Sequence, residues 1–285
     1  MKNLYKYVTP ESIDIILRNS SIKITNPSEF NDPLDCNVPE FEVDSKILKK
    51  ILTKNSGVTK HEIGDLSSEL DKGISELKSE LKPLSKELTS AWEELIAQFR
   101  VLSLTEDSNN ILMWSHYADD HKGAVIGFKK FEGKGFVKNA KRVDYRNGST
   151  KFKEFSSKLF EVLVQYLIKE EQDAHVSNKR EKLVVNALTS STLKFFTSYF
   201  FFKKNEWNYE KEHRLVLRCD SSDISQNGGV ETISFDTSEV CEIIFGVKAD
   251  PEVVHSCSLL AKEKYPEVHV YQMEKVGWSL VRKKI

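Results

Sequence analysis

The run Trp207-Asn208-Tyr209-Glu210-Lys211-Glu212-His213-Arg214 leads straight into the apolar Leu215-Val216-Leu217. A carboxylate at the mouth of a buried strand is held on rigid backbone beside low-dielectric core. There it can stabilise charge that develops in a transition state. Glu212 is the first candidate, and Glu210 is the alternative because residues two apart on a strand share a face. A structural ion pair of Glu212 with Arg214 or Lys211 is the plainer reading of the same residues. Arg214 can grip a diphosphate with both prongs of its guanidinium, or brace neighbouring carboxylates.

The second dense cluster is Trp114-Ser115-His116-Tyr117, expected as a short helix or tight turn. His116 can carry a proton, although a histidine between aromatics is commonly a packing residue. Trp114 and Tyr117 can wall a flat ligand or anchor the element in the core. Ser115 has no base-and-acid partner set, which argues against a serine hydrolase. Asp119, Asp120 and His121 offer metal-ligand chemistry together with His116, but Ala118 to Gly123 reads as a polar turn and no metal is expected. Asn31 and Asp32, between Asn26-Pro27-Ser28 and Pro33, belong to an ordered turn-rich loop around Phe30. Asp35 is a further carboxylate near the start of the chain.

These residues need a scaffold. Leu4 to Val8 reads as an aromatic strand, Pro10 to Asn19 as a helix with proline in its first turn, and Ile22 to Thr25 as a brief strand. Further strands are expected at Arg100–Leu104, Gly123–Phe128, Lys141–Tyr145, His213–Cys219, Glu231–Phe235, Val240–Phe245 and Glu267–Met273, with a helix over Asp250–Lys264. Helical blocks interrupt them at about 45–100, where Leu70, Ile74, Leu77, Leu81, Leu84 and Leu88 form a stripe, and at 151–202, which closes in a run of phenylalanines. Strands cluster rather than alternate with helices. The expectation is therefore a single α+β domain over 1–285, with a largely antiparallel sheet and two helical insertions.

Composition narrows the function classes. The 42 basic and 43 acidic side chains nearly cancel, so no global field draws the molecule to nucleic acid or to an anionic membrane. The four cysteines show no CxxC or zinc-type spacing, and no apolar run approaches the roughly 20 residues of a membrane span, so a cytoplasmic protein is expected. Glycine spacing gives no P-loop and no dinucleotide fingerprint of the GxGxxG kind.

Four segments in order, Leu4-Tyr5-Lys6-Tyr7, Phe30 to Cys36, Ile111 to Phe128 and Trp207 to Arg214, resemble the signatures of a bacterial domain-of-unknown-function family, numbered 2971. Ile243-Ile244-Phe245-Gly246 resembles its late strand. The layout is also similar to that of ADP-ribosyltransferases, particularly bacterial toxins that modify nucleic acids: an aromatic first strand, a short helix, a strand with Asn-Asp-Pro, and a late glutamate entering a strand. That resemblance implies an ADP-ribosyltransferase-like sheet, NAD as donor, and a nucleic-acid or protein acceptor. It also implies a toxin or phage-defence role, with an antitoxin or defence partner. Glu212 would be the catalytic acid residue with His116 beside it, Tyr5 or Tyr7 would stack on nicotinamide, and Lys6 would face the other side. Asn31, Asp32, Ser115, Tyr117 and Arg214 would complete the NAD site. The chain departs from the toxin pattern in starting with Tyr-Lys-Tyr, where a histidine or arginine is common. Two other readings stand beside it. One is a metal-dependent nuclease using Asp32, Asp119, His116 and Glu212, and the other is a non-enzymatic sensor that binds partners through its helical arms.

Overall fold

The computed structural model describes residues 3–36, 41, 45–55, 67–129, 134–146, 148–170 and 195–285. Residues 56–66 and 171–194 of the expected helical blocks lie outside the described residues. The chain divides into two compact units, one made of 1–35, 97–145 and 203–285, the other of 36–96 and 146–202. The second takes in most of both expected helical blocks.

In chain order the elements begin with β1 (Leu4–Val8), α1 (Pro10–Asn19), β2 (Ser21–Lys23), α2 (Ser45–Asn55), α3 (Ser67–Ala97) and β3 (Phe99–Thr105). Then come α4 (Ile111–Tyr117), β4 (Ala124–Phe128), β5 (Lys141–Arg142), α5 (Gly148–Glu170), β6 (Glu212–Arg218) and β7 (Ile224–Asn227). The last are β8 (Val230–Ser234), β9 (Val240–Phe245), α6 (Pro251–Lys264), β10 (His269–Val276) and β11 (Ser279–Lys284). The fold is mixed α+β, as the clustering of strands predicts.

The first unit is built on an eight-stranded sheet in the order β11-β10-β9-β4-β1-β3-β6-β5, with β2-β8-β7 as a separate small sheet. Every pairing is antiparallel except β9 with β10, which α6 connects as a crossover. The central strand β4 is buried along its whole length, as expected for an apolar run covered on both faces. On one face Ile13 and Leu17 of α1 and Val254, Cys257 and Ala261 of α6 share a core with Leu4, Val8, Ile126 and Ile243. On the other, Met113, Trp114 and Ala118 at α4 pack against Tyr7, Val125, Ile244 and Met273. Alternation along β1 therefore sends Leu4 and Val8 to one layer and Tyr7 to the other. Each fully buried aliphatic side chain of this kind contributes about 1.5–3 kcal/mol.

Two strands are additional to those expected from sequence. β7 and β8 form a hairpin through Gly228-Gly229, both with positive φ (58° and 80°), which is what a two-residue primed turn requires. β11 returns along β10 through Gly277-Trp278, where Gly277 has φ 60°.

In the second unit, Ile74, Leu81, Trp92 and Ile96 form the buried stripe of α3. Trp92 sits within 6.2 Å of Phe155, Phe195, Phe196 and Tyr199 by ring centroids, and Phe155 stacks on Phe195 at 4.2 Å. The phenylalanine run is core, as its composition suggests. Among the described residues no helix is long and apolar enough to cross a membrane.

Candidate functional site

Among the described residues the sheet of the first unit parts between β1 and β3. β1 lies in register with β4 from Leu4 to Val8, and β3 with β6 from Phe99 to Thr105, but β1 and β3 meet only at Tyr5 and Thr105 among the described residues. Beyond that point Lys6 Nζ, rather than a strand amide, donates to the Ser103 carbonyl at 3.0 Å. Further along, Thr25 and Val101 exchange backbone bonds of 3.0 and 2.8 Å, which brings the loop that follows Thr25 to the edge of β3. The parted strands border a cavity of about 280 Å³, walled by Tyr5, Lys6 and Tyr7 from β1 and by Phe30 and Asp35 from that loop. Tyr117 of α4, with Lys203, Glu210 and Glu212, completes the wall.

Charges crowd this wall. Lys203 Nζ lies 2.6 Å from Glu210 Oε2, 3.2 Å from Asp35 Oδ2 and 3.3 Å from Glu212 Oε2. Arg214 is wholly buried and holds Glu212 with two bonds, Nε to Oε1 at 2.7 Å and Nη2 to Oε2 at 2.9 Å. Its Nη2 also reaches Asp35 Oδ2 at 2.5 Å, and its guanidinium carbon lies 5.5 Å from the Phe30 ring centroid. Such a cation is tolerated in low dielectric because two carboxylates meet it with good geometry. Glu210 spends its other oxygen, Oε1, on the Tyr117 hydroxyl at 2.6 Å. Asp35 Oδ1 is buried without a hydrogen-bond partner among the described residues.

The protonation states follow from this geometry. Burial pushes the Glu212 carboxyl up, but Arg214 and then Lys203 outweigh it and hold the group at about 2. Lys203 goes the other way: burial lowers it, and Glu212, Asp35 and Glu210 together raise it well above the usual lysine value. Lys6 is depressed by burial, which the more distant Glu212 and Glu210 only partly offset. Burial and the neighbouring Glu210 raise the Tyr117 phenol.

Local structure explains how these groups are aimed. Glu210 ends a 3₁₀ helix (Asn205–Glu210) and Glu212 begins β6, with Lys211 between them at φ 46°. The two carboxylates thus converge through a left-handed residue, not through the strand alternation expected from sequence. The Tyr145 hydroxyl accepts the Glu212 amide at 2.7 Å, and Thr105 Oγ1 donates to the Glu210 carbonyl at 2.5 Å. Asn110 caps α4 through Leu112 N and Met113 N (3.0 and 3.2 Å) while its Nδ2 holds the Tyr209 carbonyl at 3.1 Å. The Tyr7 hydroxyl donates to the Asp107 carbonyl (3.0 Å) and accepts from Asn110 N (3.2 Å), so it anchors the start of α4.

Of the residues singled out from sequence, Tyr5, Lys6, Tyr7, Asn31, Tyr117, Glu210 and Glu212 border the cavity, with Arg214 directly behind Glu212. Asp32, Ser115 and His116 do not border it. Asp32 Oδ1 accepts Leu34 N at 2.9 Å in an Asx-type turn. Ser115 Oγ bonds the Ile111 carbonyl and the His121 ring, each at 3.2 Å. His116 stands exposed, because helical phase gives the cavity side of α4 to Met113 and Tyr117, four residues apart. Asp119 and Asp120 lie exposed in the turn after α4, and no three His, Cys, Asp or Glu side chains converge as metal ligands among the described residues.

Lys203 is a site residue that sequence reasoning passes over, and Asp35 is noted there as a carboxylate without a role. Lys203 follows the phenylalanine run as half of a Lys-Lys pair, which reads as surface. Asp35 reads as part of a turn. No local pattern marks either one.

The comparisons with known proteins bear on the lineage of these segments. Residues 113–215 match the model of a family described as protein of unknown function, DUF2971. The family resemblance drawn from the ordered motifs is upheld over that stretch, which spans most of α4 and the block from Trp207 to Arg214. No curated protein and no solved structure matches the chain. The DUF2971 match carries no activity with it, so chemistry has to be argued from the cavity.

Proposed function

We propose that the chain is a cytoplasmic enzyme of ADP-ribosyltransferase type, which moves ADP-ribose from NAD to a nucleic-acid or protein acceptor as a toxin or phage-defence effector. The observation that carries this reading is the parting of β1 from β3 around a cavity walled by Glu210 and Glu212 beside Tyr5, Tyr7 and Tyr117. Cleavage of the nicotinamide–ribose bond builds positive charge on the ribose, and preformed negative charge at that point lowers the barrier. Asp35, Glu210 and Glu212 set against Lys203 and Arg214 leave one carboxylate charge over when Lys6 is uncharged.

At about 280 Å³ the cavity lies just below the usual range of roughly 300–1,000 Å³, so it takes nicotinamide with its ribose rather than the whole dinucleotide. The tyrosine rings supply a flat apolar surface for nicotinamide. In this reading Glu212 and Glu210 form the anionic wall, and Arg214 with Lys203 fixes it in place.

The test is incubation of pure protein with NAD labelled in its adenylate, in the presence of cell extract. Label on nucleic acid or protein, with release of nicotinamide, is the expected result. NAD left intact in every extract would contradict the proposal.

A further inference from the structure

An acceptor nucleophile attacking ribose must lose a proton, and the cavity wall offers few groups to take it. Both oxygens of Glu212 are held, Oε1 by Arg214 and Oε2 by Arg214 and Lys203. Both oxygens of Glu210 are held as well, by Tyr117 and Lys203. A carboxylate pinned between two cations is a poor base, and Glu212 is the extreme case at about 2. Lys6 differs from the other two buried cations. It borders the cavity in the gap between β1 and β3, its Nζ makes one hydrogen bond, to the Ser103 carbonyl, and no carboxylate lies within ion-pairing distance of it among the described residues. An amine is also intrinsically a stronger base than a carboxylate by several units.

We infer that Lys6 is the proton acceptor of the transfer step, an assignment that rests on the ADP-ribosyltransferase reading. The acceptor's O–H or N–H group attacks C1′ of the ribose, and the C1′–N bond to nicotinamide breaks. Its electron pair passes to the ring nitrogen, which neutralises the pyridinium, and the nucleophile's proton passes to Lys6 Nζ. The positive charge of the donor thus ends on the lysine. With Lys6 uncharged before the step, as the assignment requires, the wall carries one net negative charge, which suits a cationic pyridinium at the cavity.

The groups that face Lys6 set when it can act. Glu210 and Glu212 favour its protonation, and Lys203 together with burial opposes it. Tyr5 and Tyr7, which flank Lys6 on β1 and alternate to the other face of the strand, and Tyr117 on α4 are held neutral by burial. Asp35 is tied to Arg214 and Lys203 through Oδ2, and Glu29 at the cavity edge pairs with Lys23 at 3.6 Å.

The deciding experiment is NMR titration of protein carrying lysine labelled with ¹³C at Cε, the Lys6 signal being assigned from its loss in Lys6→Arg. The pH profile of NAD turnover is measured alongside for the parent and for Lys6→Met. Lys6 is expected to titrate below the other lysines. Lys6→Met should lose about 100-fold in turnover at neutral pH and lose the acidic limb of the profile, with KM for NAD unchanged. If Lys6 titrates with the remaining lysines in a protein that consumes NAD, or if Lys6→Met keeps the acidic limb, the Lys6 assignment falls and the transferase reading stands. If Lys6 titrates low in a protein that leaves NAD intact with every acceptor, the transferase reading falls and this step falls with it.

Discussion

The block from Trp207 to Arg214 and the block from Trp114 to His121 are equally rich in side chains able to do chemistry, yet the fold uses them in opposite ways. In the first, the 3₁₀ turn, left-handed Lys211 and the start of β6 bring Glu210 and Glu212 to the cavity, with buried Arg214 behind them. In the second, the polar groups close the structure. Asp119, Asp120 and His121 follow α4 at φ 44°, 50° and 70°, and their amides and carbonyls tie the turn to α4 and to Lys248. His121 stacks on Trp114 at 6.2 Å, and His116 is left outside. Chemical density marks a site only where the backbone delivers it to open space; elsewhere the same residues cap and pack.

This contrast can be broken or sharpened by substitution. The largest effect is expected for Arg214→Met, which strands the buried Glu212 and Asp35 carboxylates without their guanidinium. It should cost about 3–5 kcal/mol in denaturant unfolding, and a loss below about 1 kcal/mol would mean that the network is not buried as described. The same network sets a pH dependence. Glu212 is lowered on folding from the ordinary 4.5 to about 2, so its contribution is complete above about pH 4.5 and is lost as pH falls toward 2. Glu212→Gln should flatten that part of the stability profile.

Next in size is Gly246→Ala, just after β9 and packed against the second region. A Cβ there would stand 2.0 Å from the His121 carbonyl oxygen, so the turn after α4 must shift, at a cost of about 3 kcal/mol in thermal unfolding. Tyr117→Phe, which links the two regions, removes the hydrogen bond to Glu210 Oε1 and should cost about 2 kcal/mol. The smallest effect belongs to His116→Ala, within about 0.5 kcal/mol, since the ring is exposed. A larger loss there would give the second block a role that its geometry does not suggest.

How much of this was readable from sequence differs by the range of the forces involved. β1, α1 and β9 carry the boundaries expected of them, because alternation, a proline in the first helical turn and a β-branched apolar run are local signals. The β7–β8 hairpin has an equally local signal in Asn227-Gly228-Gly229-Val230, and β7 is absent from the strands expected above. Glu210 and Glu212 were legible as a pair, though they converge through Lys211 at φ 46° rather than through strand alternation. Lys203 is not legible, and Asp35 is legible as a carboxylate but not as a partner of Arg214. Asp35 lies 179 residues from Arg214, and only the tertiary fold makes a turn residue its second carboxylate. His116 falls outside the cavity because of its phase on a seven-residue helix, which its residue type alone does not reveal.

Under the proposed function the parted strands β1 and β3, with the carboxylates of the late block, form the reactive cavity, and the histidine of α4 stands outside it. The most direct measurement is kcat/KM for nicotinamide release from NAD in Glu212→Gln and His116→Ala, compared with the parent at a temperature where all three are folded. The account predicts a fall of at least about 100-fold for the first and no change for the second. Equal losses in both, or a loss confined to His116→Ala, would contradict it.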